Sequence, residues 1–208
     1  MKHVLGITGG VGCGKSTVLA VFKERYGALC LSCDDIAREM QQKGGCCYAL
    51  MLDLFGEEYL NDAGEFDRAK IAKKVFADPG LLKKLNDLIH PAVKQQVAER
   101  VRSFLADGGQ LAVVEAALLI EGDYGEICDE IWYIYTSEEA RIDRLMASRG
   151  YSRERCLKMM KSQKNEDFFR THTELTIDNN GKTEDLEKQI DRGLREHGFL
   201  YDSKREQR

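Results

Sequence analysis

Apolar residues concentrate in short stretches at five places: HVLGI at 3–7, ALCLSC at 28–33, the start of LAVVEAALLI at 111–120, EIWYIYT at 130–136 and, with Leu175 and Ile177 separated by a threonine, ELTIDN at 174–179. Strands buried on both faces need apolar residues at successive rather than alternate positions, and these runs are of strand length. Between them the spacing turns helical. STVLAVFKERYG runs helically to Gly27, IAREMQQ follows the second run, and residues 182–197 alternate charged and apolar positions. The alternation predicts an α/β fold, a five-stranded parallel sheet flanked by helices.

Two stretches depart from that rhythm. From 47 to 108 the patterning is helical only (YALMLDLFG, DRAKIAKKVFADP, then LLKKLNDLIHPAVKQQVAERVRSFLADG), with Pro79 and Pro91 each suited to a helix start. From 137 to 170 the chain is strongly charged with few large apolar residues, as expected of a helical cover rather than a core. The reading is one domain with a core (about 1–46, 109–136 and 171–200), a helical insertion (about 47–108) over the carboxyl edge of the sheet, and a lid (about 137–170). The tail YDSKREQR reads as a frayed end.

Composition narrows the function. The 208 residues carry 31 Lys+Arg against 35 Asp+Glu, so no overall basic field favours nucleic acid as a partner. No run approaches the roughly 18 apolar residues of a membrane span, and Lys2 leads straight into VLGITG with no signal-peptide pattern, so the expectation is a cytoplasmic protein without membrane partners. The seven cysteines include a C-x-x-C at Cys30 and Cys33 and an adjacent pair, Cys46-Cys47. Adjacency is unlike the two spaced pairs of a structural zinc site, and Cys30 sits inside an apolar run, so buried reduced thiols are favoured over metal or redox use.

The chemistry starts at Gly9-Gly10-Val11-Gly12-Cys13-Gly14-Lys15-Ser16, which fits G-x-x-x-x-G-K-[ST] after a strand and before a helix. Glycines let backbone N–H groups converge on phosphate, and the helix N-terminus adds partial positive charge. Lys15 reaches the β and γ phosphates, Ser16 ligates Mg²⁺, and Thr17 is placed to touch a phosphate as well. Cys13 is asked only for its backbone. After the second strand, Ser32-Cys33-Asp34-Asp35 puts acids at a strand's carboxyl end, where ligands bind in open α/β sheets. Asp34 there is either a general base for an acceptor hydroxyl, a first-turn acid of the next helix, or both.

GITGGVGCGKSTV, CDDIAR, DRAKIAKKVFADP, LIHP, EAALLIE and IDNNG, in this order, resemble the dephospho-coenzyme A kinase family over about residues 4–192. The resemblance implies a P-loop fold of the nucleoside-monophosphate-kinase type and transfer of the ATP γ-phosphoryl to the ribose 3′-hydroxyl of dephospho-coenzyme A. The alternative is another nucleoside or nucleotide kinase of that fold. A GTPase-type switch would want D-x-x-G and N-K-x-D, and neither occurs.

The family's pattern makes Asp34 the catalytic base and puts Ser32 where a first acid is usual. Arg144 takes the place of a lid arginine on phosphates, catalytic beside Lys15, and Arg141 lies three residues before it. Their alternative is a solvated helix paired with Glu138, Glu139 and Asp143. Ser148 stands where a second lid arginine is usual. His90-Pro91 and Asp67-Arg68 match substrate-lobe elements, with His90 either binding the acceptor or holding a helix junction and Arg68 either binding its phosphate or lying on the surface. Glu115 falls where an acid sits near Mg²⁺, acting through water, while Ala117 replaces a usual proline and Leu118 and Leu119 read as packing. Asn179 falls near the adenine, or else in a plain Asn-Gly turn.

Overall fold

The computed structural model describes residues 2–200, and the tail at 201–208 lies outside them. Five strands form one sheet: β1 (His3–Thr8), β2 (Leu29–Ser32), β3 (Leu111–Glu115), β4 (Glu130–Tyr135) and β5 (Leu175–Asp178), in the order β2-β3-β1-β4-β5. β1 pairs in parallel with β3 and β4, and β4 in parallel with β5. The sheet is parallel throughout. The described residues divide into two compact units, 2–30 with 101–200, and 31–100.

In the first unit, side-chain alternation sends Leu5 and Ile7 of β1, Val113 of β3, and Trp132 and Ile134 of β4 into one buried cluster. Helix α1 (Lys15–Tyr26) closes that cluster with Val18, Val21 and Phe22, and α9 (Thr183–Glu196) with Leu186, Ile190 and Leu194. Residues of the opposite parity are buried too: Val4, Ala112, Val114 and Tyr133, the last stacked on Phe169 at 4.8 Å. A sheet covered on both faces explains the continuous apolar runs.

Three helices fill the charged stretch: α6 (Glu138–Arg149), α7 (Arg153–Lys161) and α8 (Glu166–Thr171). The expectation of a cover without a core needs correcting. Ile142, Leu145 and Cys156 are buried together, with Val11 of the phosphate turn, Tyr151 and Met160 packed on them. A few apolar residues at the right spacing seat α6 on the turn, and the charges occupy the rest of its surface.

The second unit contains α2 (Cys33–Met40), α3 (Tyr48–Phe55), α4 (Arg68–Ala77) and most of α5 (Pro79–Ala106). Asp67 caps α4 by accepting from Lys70 N at 3.0 Å, and Arg100 pairs with Glu39 at 2.7 Å. Pro79 opens α5 as expected, but Pro91 lies inside it. An interior proline costs a helix about 3 kcal/mol. Here Ile89, Val93, Val97 and Val101 form a buried stripe that continues through the proline, and its burial carries the helix past that cost. His90 therefore marks no junction and is exposed on α5.

Five of the cysteines are buried, Cys30 is half-buried and Cys46 is exposed. The Cys30 thiol donates to Leu19 O at 3.4 Å.

Candidate active site

The phosphate turn leaves β1 at Thr8 and ends at Gly14, the residue before α1. Gly14 has φ +86° and offers no side-chain cap, so nothing from its own side chain takes the first-turn N–H groups of α1. No acid lies in that first turn. A helix start of this kind is a ready anion site. Lys15 Nζ donates to Gly9 O at 2.9 Å and stands 3.5 Å from Glu115 Oε1, both side chains largely shielded from solvent. The ammonium is thus held over the opening of the turn. Ser16 and Thr17 are exposed.

The outer face of the turn is gripped by side chains. Arg141 Nε donates to Val11 O at 2.8 Å, while Arg144 donates to Cys13 O at 3.4 Å, to Thr136 Oγ1 at 3.3 Å and to Asn179 O at 2.6 Å. Neither arginine is taken up by the acids of its own helix; Glu139 is bound instead by Arg153, at 2.6 Å. That bond holds the Glu139 carboxyl below its ordinary range. Asn179 is buried and donates its side-chain amide to Cys13 O at 2.8 Å, and its backbone N–H to Tyr135 O at 2.8 Å. It is an anchor of the turn rather than part of a loose Asn-Gly turn.

Close packing explains the glycines. A Cβ on Gly10 would lie 2.4 Å from Arg141 Nη2, and one on Gly14 would lie 2.3 Å from Asn179 Nδ2. Cys13 acts here through its backbone. Its carbonyl is the meeting point of Thr136, Arg144 and Asn179, and its side chain is buried. Burial pushes the Cys13 thiol above its ordinary pKa, against a smaller opposing effect of Lys15, so it is no nucleophile.

Two residues of this site were not singled out by sequence. Thr136 is 3% exposed, and its hydroxyl lies 3.1 Å from Cys13 O and 2.8 Å from Tyr135 O. Its signal was available, a hydroxyl closing an otherwise apolar strand. Gln163, between α7 and α8, accepts from Val11 N at 3.0 Å and from Arg141 Nη2 at 3.1 Å. A single glutamine in a polar connection carries no local signal.

After β3 the chain turns so that Leu119 is buried while Leu118 is 50% exposed, so only one of the two leucines expected to pack does so fully. Successive side chains of a turn point to different sides. Ala117 O accepts from Thr8 Oγ1 at 3.4 Å, and Ser148 Oγ donates to Arg144 O at 2.6 Å.

In the second unit, Ser32 caps α2 by accepting from Asp35 N at 3.4 Å, and Asp35 pairs with Arg38 at 2.8 Å. Capping and pairing are thus done by Ser32 and Asp35. The Asp34 carboxylate is exposed and, among the described residues, engaged by no hydrogen bond or ion pair. Arg68, in the first turn of α4, is exposed as well.

Known proteins resemble this chain over most of its length. A dephospho-CoA kinase of Carboxydothermus hydrogenoformans is 34% identical over 187 residues, 90% of either chain. A crystal structure of a Thermus thermophilus protein superposes with a TM-score of 0.80 at 30% identity, covering 94% of this chain and 97% of the other. The dephospho-CoA kinase of Campylobacter jejuni shares the fold, with a TM-score of 0.69 at 20% identity over 96% of this chain and all of the other. The family model for dephospho-CoA kinase matches residues 3–185, from the first strand through the phosphate turn and its arginine clasp into the last helix, and the chain belongs to that family.

Proposed function

We infer that this chain transfers the γ-phosphoryl of ATP to dephospho-coenzyme A, at the ribose 3′-hydroxyl, completing coenzyme A. Phosphoryl transfer asks a protein for positioning and for charge more than for covalent chemistry. The observation that carries the reading is the clasp of Arg141 and Arg144 on Val11 O and Cys13 O, which fixes two permanent cations at a phosphate turn in a member of this family.

The backbone from Gly9 to Thr17 holds the donor phosphates, with Lys15 at the outer ones. Asn179 and Arg144 brace the wall beside Gly14, on the side of the turn where α1 begins. Closing over the transferring group would cost Arg144 its bonds to Cys13, Thr136 and Asn179. Arg141, at the Gly10–Val11 end of the turn, is held by Val11 O and by Gln163 Oε1. Asp34 accepts the proton of the attacking hydroxyl, a role suited to an exposed and unpaired carboxylate. The helices of the second unit hold the acceptor, with Arg68 and His90 as its contacts, and 137–170 acts as the lid. The site of action is the cytoplasm, with a small molecule as the partner.

Mg²⁺ fits the residues present. Ser16 offers an exposed hydroxyl oxygen at the helix start and Glu115 a carboxylate beside Lys15, a set of hard oxygen donors that leaves most ligand positions to phosphate and water. When bound, the ion neutralises charge on the phosphate oxygens.

A coupled assay with ATP, Mg²⁺ and either dephospho-coenzyme A or adenosine and nucleoside monophosphates tests the reading. Turnover with dephospho-coenzyme A supports it. Product from the monophosphates with none from dephospho-coenzyme A would replace it with the related nucleotide-kinase reading.

A further inference from the structure

Both polar groups of Val11 are held by side chains from the 137–170 segment. Gln163 Oε1 accepts from Val11 N at 3.0 Å, and Arg141 Nε donates to Val11 O at 2.8 Å. The two side chains also bind each other, Arg141 Nη2 donating to Gln163 Oε1 at 3.1 Å. Gly10 makes room for this, since a Cβ there would lie 2.4 Å from Arg141 Nη2 and 3.0 Å from Gln163 Oε1. One neutral carbonyl oxygen thus collects a turn N–H and a guanidinium, the pair of donors that an anionic phosphate oxygen takes.

Lys15 identifies which phosphate this would be. Its ammonium donates to Gly9 O, so the Gly9–Val11 end of the turn is the lysine end, where the β and γ phosphates belong. The inner phosphates face the N–H groups at the start of α1. We propose that Gln163 is a positioning residue that discriminates ATP from ADP. Its amide oxygen occupies, between Val11 N–H and Arg141, the place of a terminal-phosphate oxygen. ATP then displaces the amide, because hydrogen bonds to an ionised acceptor are about twice as strong as those to a neutral one. ADP, one phosphate shorter, leaves Gln163 in place.

The proposal rests on the kinase reading, and the test separates the two. Binding of ATP and of ADP is measured by calorimetry on the full chain for the wild type, Gln163→Glu and Gln163→Ala, with melting curves as a folding control. Gln163→Glu puts a carboxylate between the two donors as a stronger competitor, so ATP affinity falls about tenfold while ADP affinity changes less than about twofold. Gln163→Ala removes the competitor, so the ratio of ATP to ADP affinity rises about threefold. Equal effects on both nucleotides, or an unchanged ratio in Gln163→Ala should Gln163→Glu fail to fold, would overturn the proposal. A wild type that binds neither nucleotide would instead overturn the kinase reading and this proposal with it.

Discussion

The side-chain amide of Asn179 donates to the carbonyl oxygen of Cys13 at 2.8 Å, fastening the loop after β5 to a phosphate turn that precedes it by 166 positions. Cys13 O also meets Thr136 and Arg144, so one carbonyl joins four parts of the first unit. Asn179→Ala removes a buried hydrogen bond worth about 1 kcal/mol, and the melting temperature should fall by a few degrees with a several-fold rise in the KM for ATP. Asn179→Asp should be worse, because it turns an acceptor toward an acceptor. Calorimetry with steady-state kinetics checks both, and an aspartate variant milder than the alanine one would refute the tether.

The two crowded glycines should respond differently to repair. Gly10→Ala puts its methyl 2.4 Å from Arg141 and 3.0 Å from Gln163, so Arg141→Ala in the same chain removes the worse contact and should recover part of the lost ATP binding. Gly14→Ala meets Asn179 at 2.3 Å and also holds φ at +86°, a strain that no change at Asn179 removes. A double-mutant cycle for each pair, read by ATP affinity, should show strong coupling at Gly10 and Arg141 and little rescue of Gly14→Ala by Asn179→Ala.

Asp34→Asn should lower turnover about a hundredfold or more while leaving ATP affinity within about twofold, the mark of a group used in transfer rather than in donor binding. Asp35→Asn is the comparison. Its carboxylate already pairs with Arg38, so that variant should keep most of its turnover. Pre-steady-state measurement of the transfer step decides the assignment, and near-normal transfer by Asp34→Asn would remove the base.

The sequence made the sheet and the turn legible because both are written locally. Runs such as HVLGI and EIWYIY announce strands buried on two faces, and the glycine spacing announces the turn. What stayed hidden depends on contacts between distant segments. Pro91 reads as a start, yet the stripe from Ile89 to Val101 continues the helix through it. The charge density of 137–170 hid the small cluster of Ile142, Leu145 and Cys156, since three apolar residues hardly register among so many charges. Arg141 and Arg144 were legible as cations on one helix face. Their binding to turn carbonyls, with Gln163 beside them, depends on how α6 is seated, and that is set by packing alone.

The cysteines give a pH-dependent prediction that is independent of catalysis. Burial pushes the Cys30 thiol to about 11, and burial with the neighbouring Cys46 thiol pushes Cys47 to about 11. A raised pKa means less thiolate at any lower pH, and the thiolate is the nucleophile. For Cys30 and Cys47 the rate of labelling by a disulfide reagent should therefore climb about tenfold per pH unit from neutrality and level off only near that pKa. Cys46 is exposed and should label first, as a single fast equivalent. Stopped-flow labelling of the wild type and Cys46→Ser from pH 7 to 9.5 checks this. Loss of the fast equivalent in Cys46→Ser, with the slow ones rising with pH, is the expected outcome. A fast equivalent that survives the substitution would show that a second thiol is freely accessible, against the burial of five of the other six and the half-burial of Cys30.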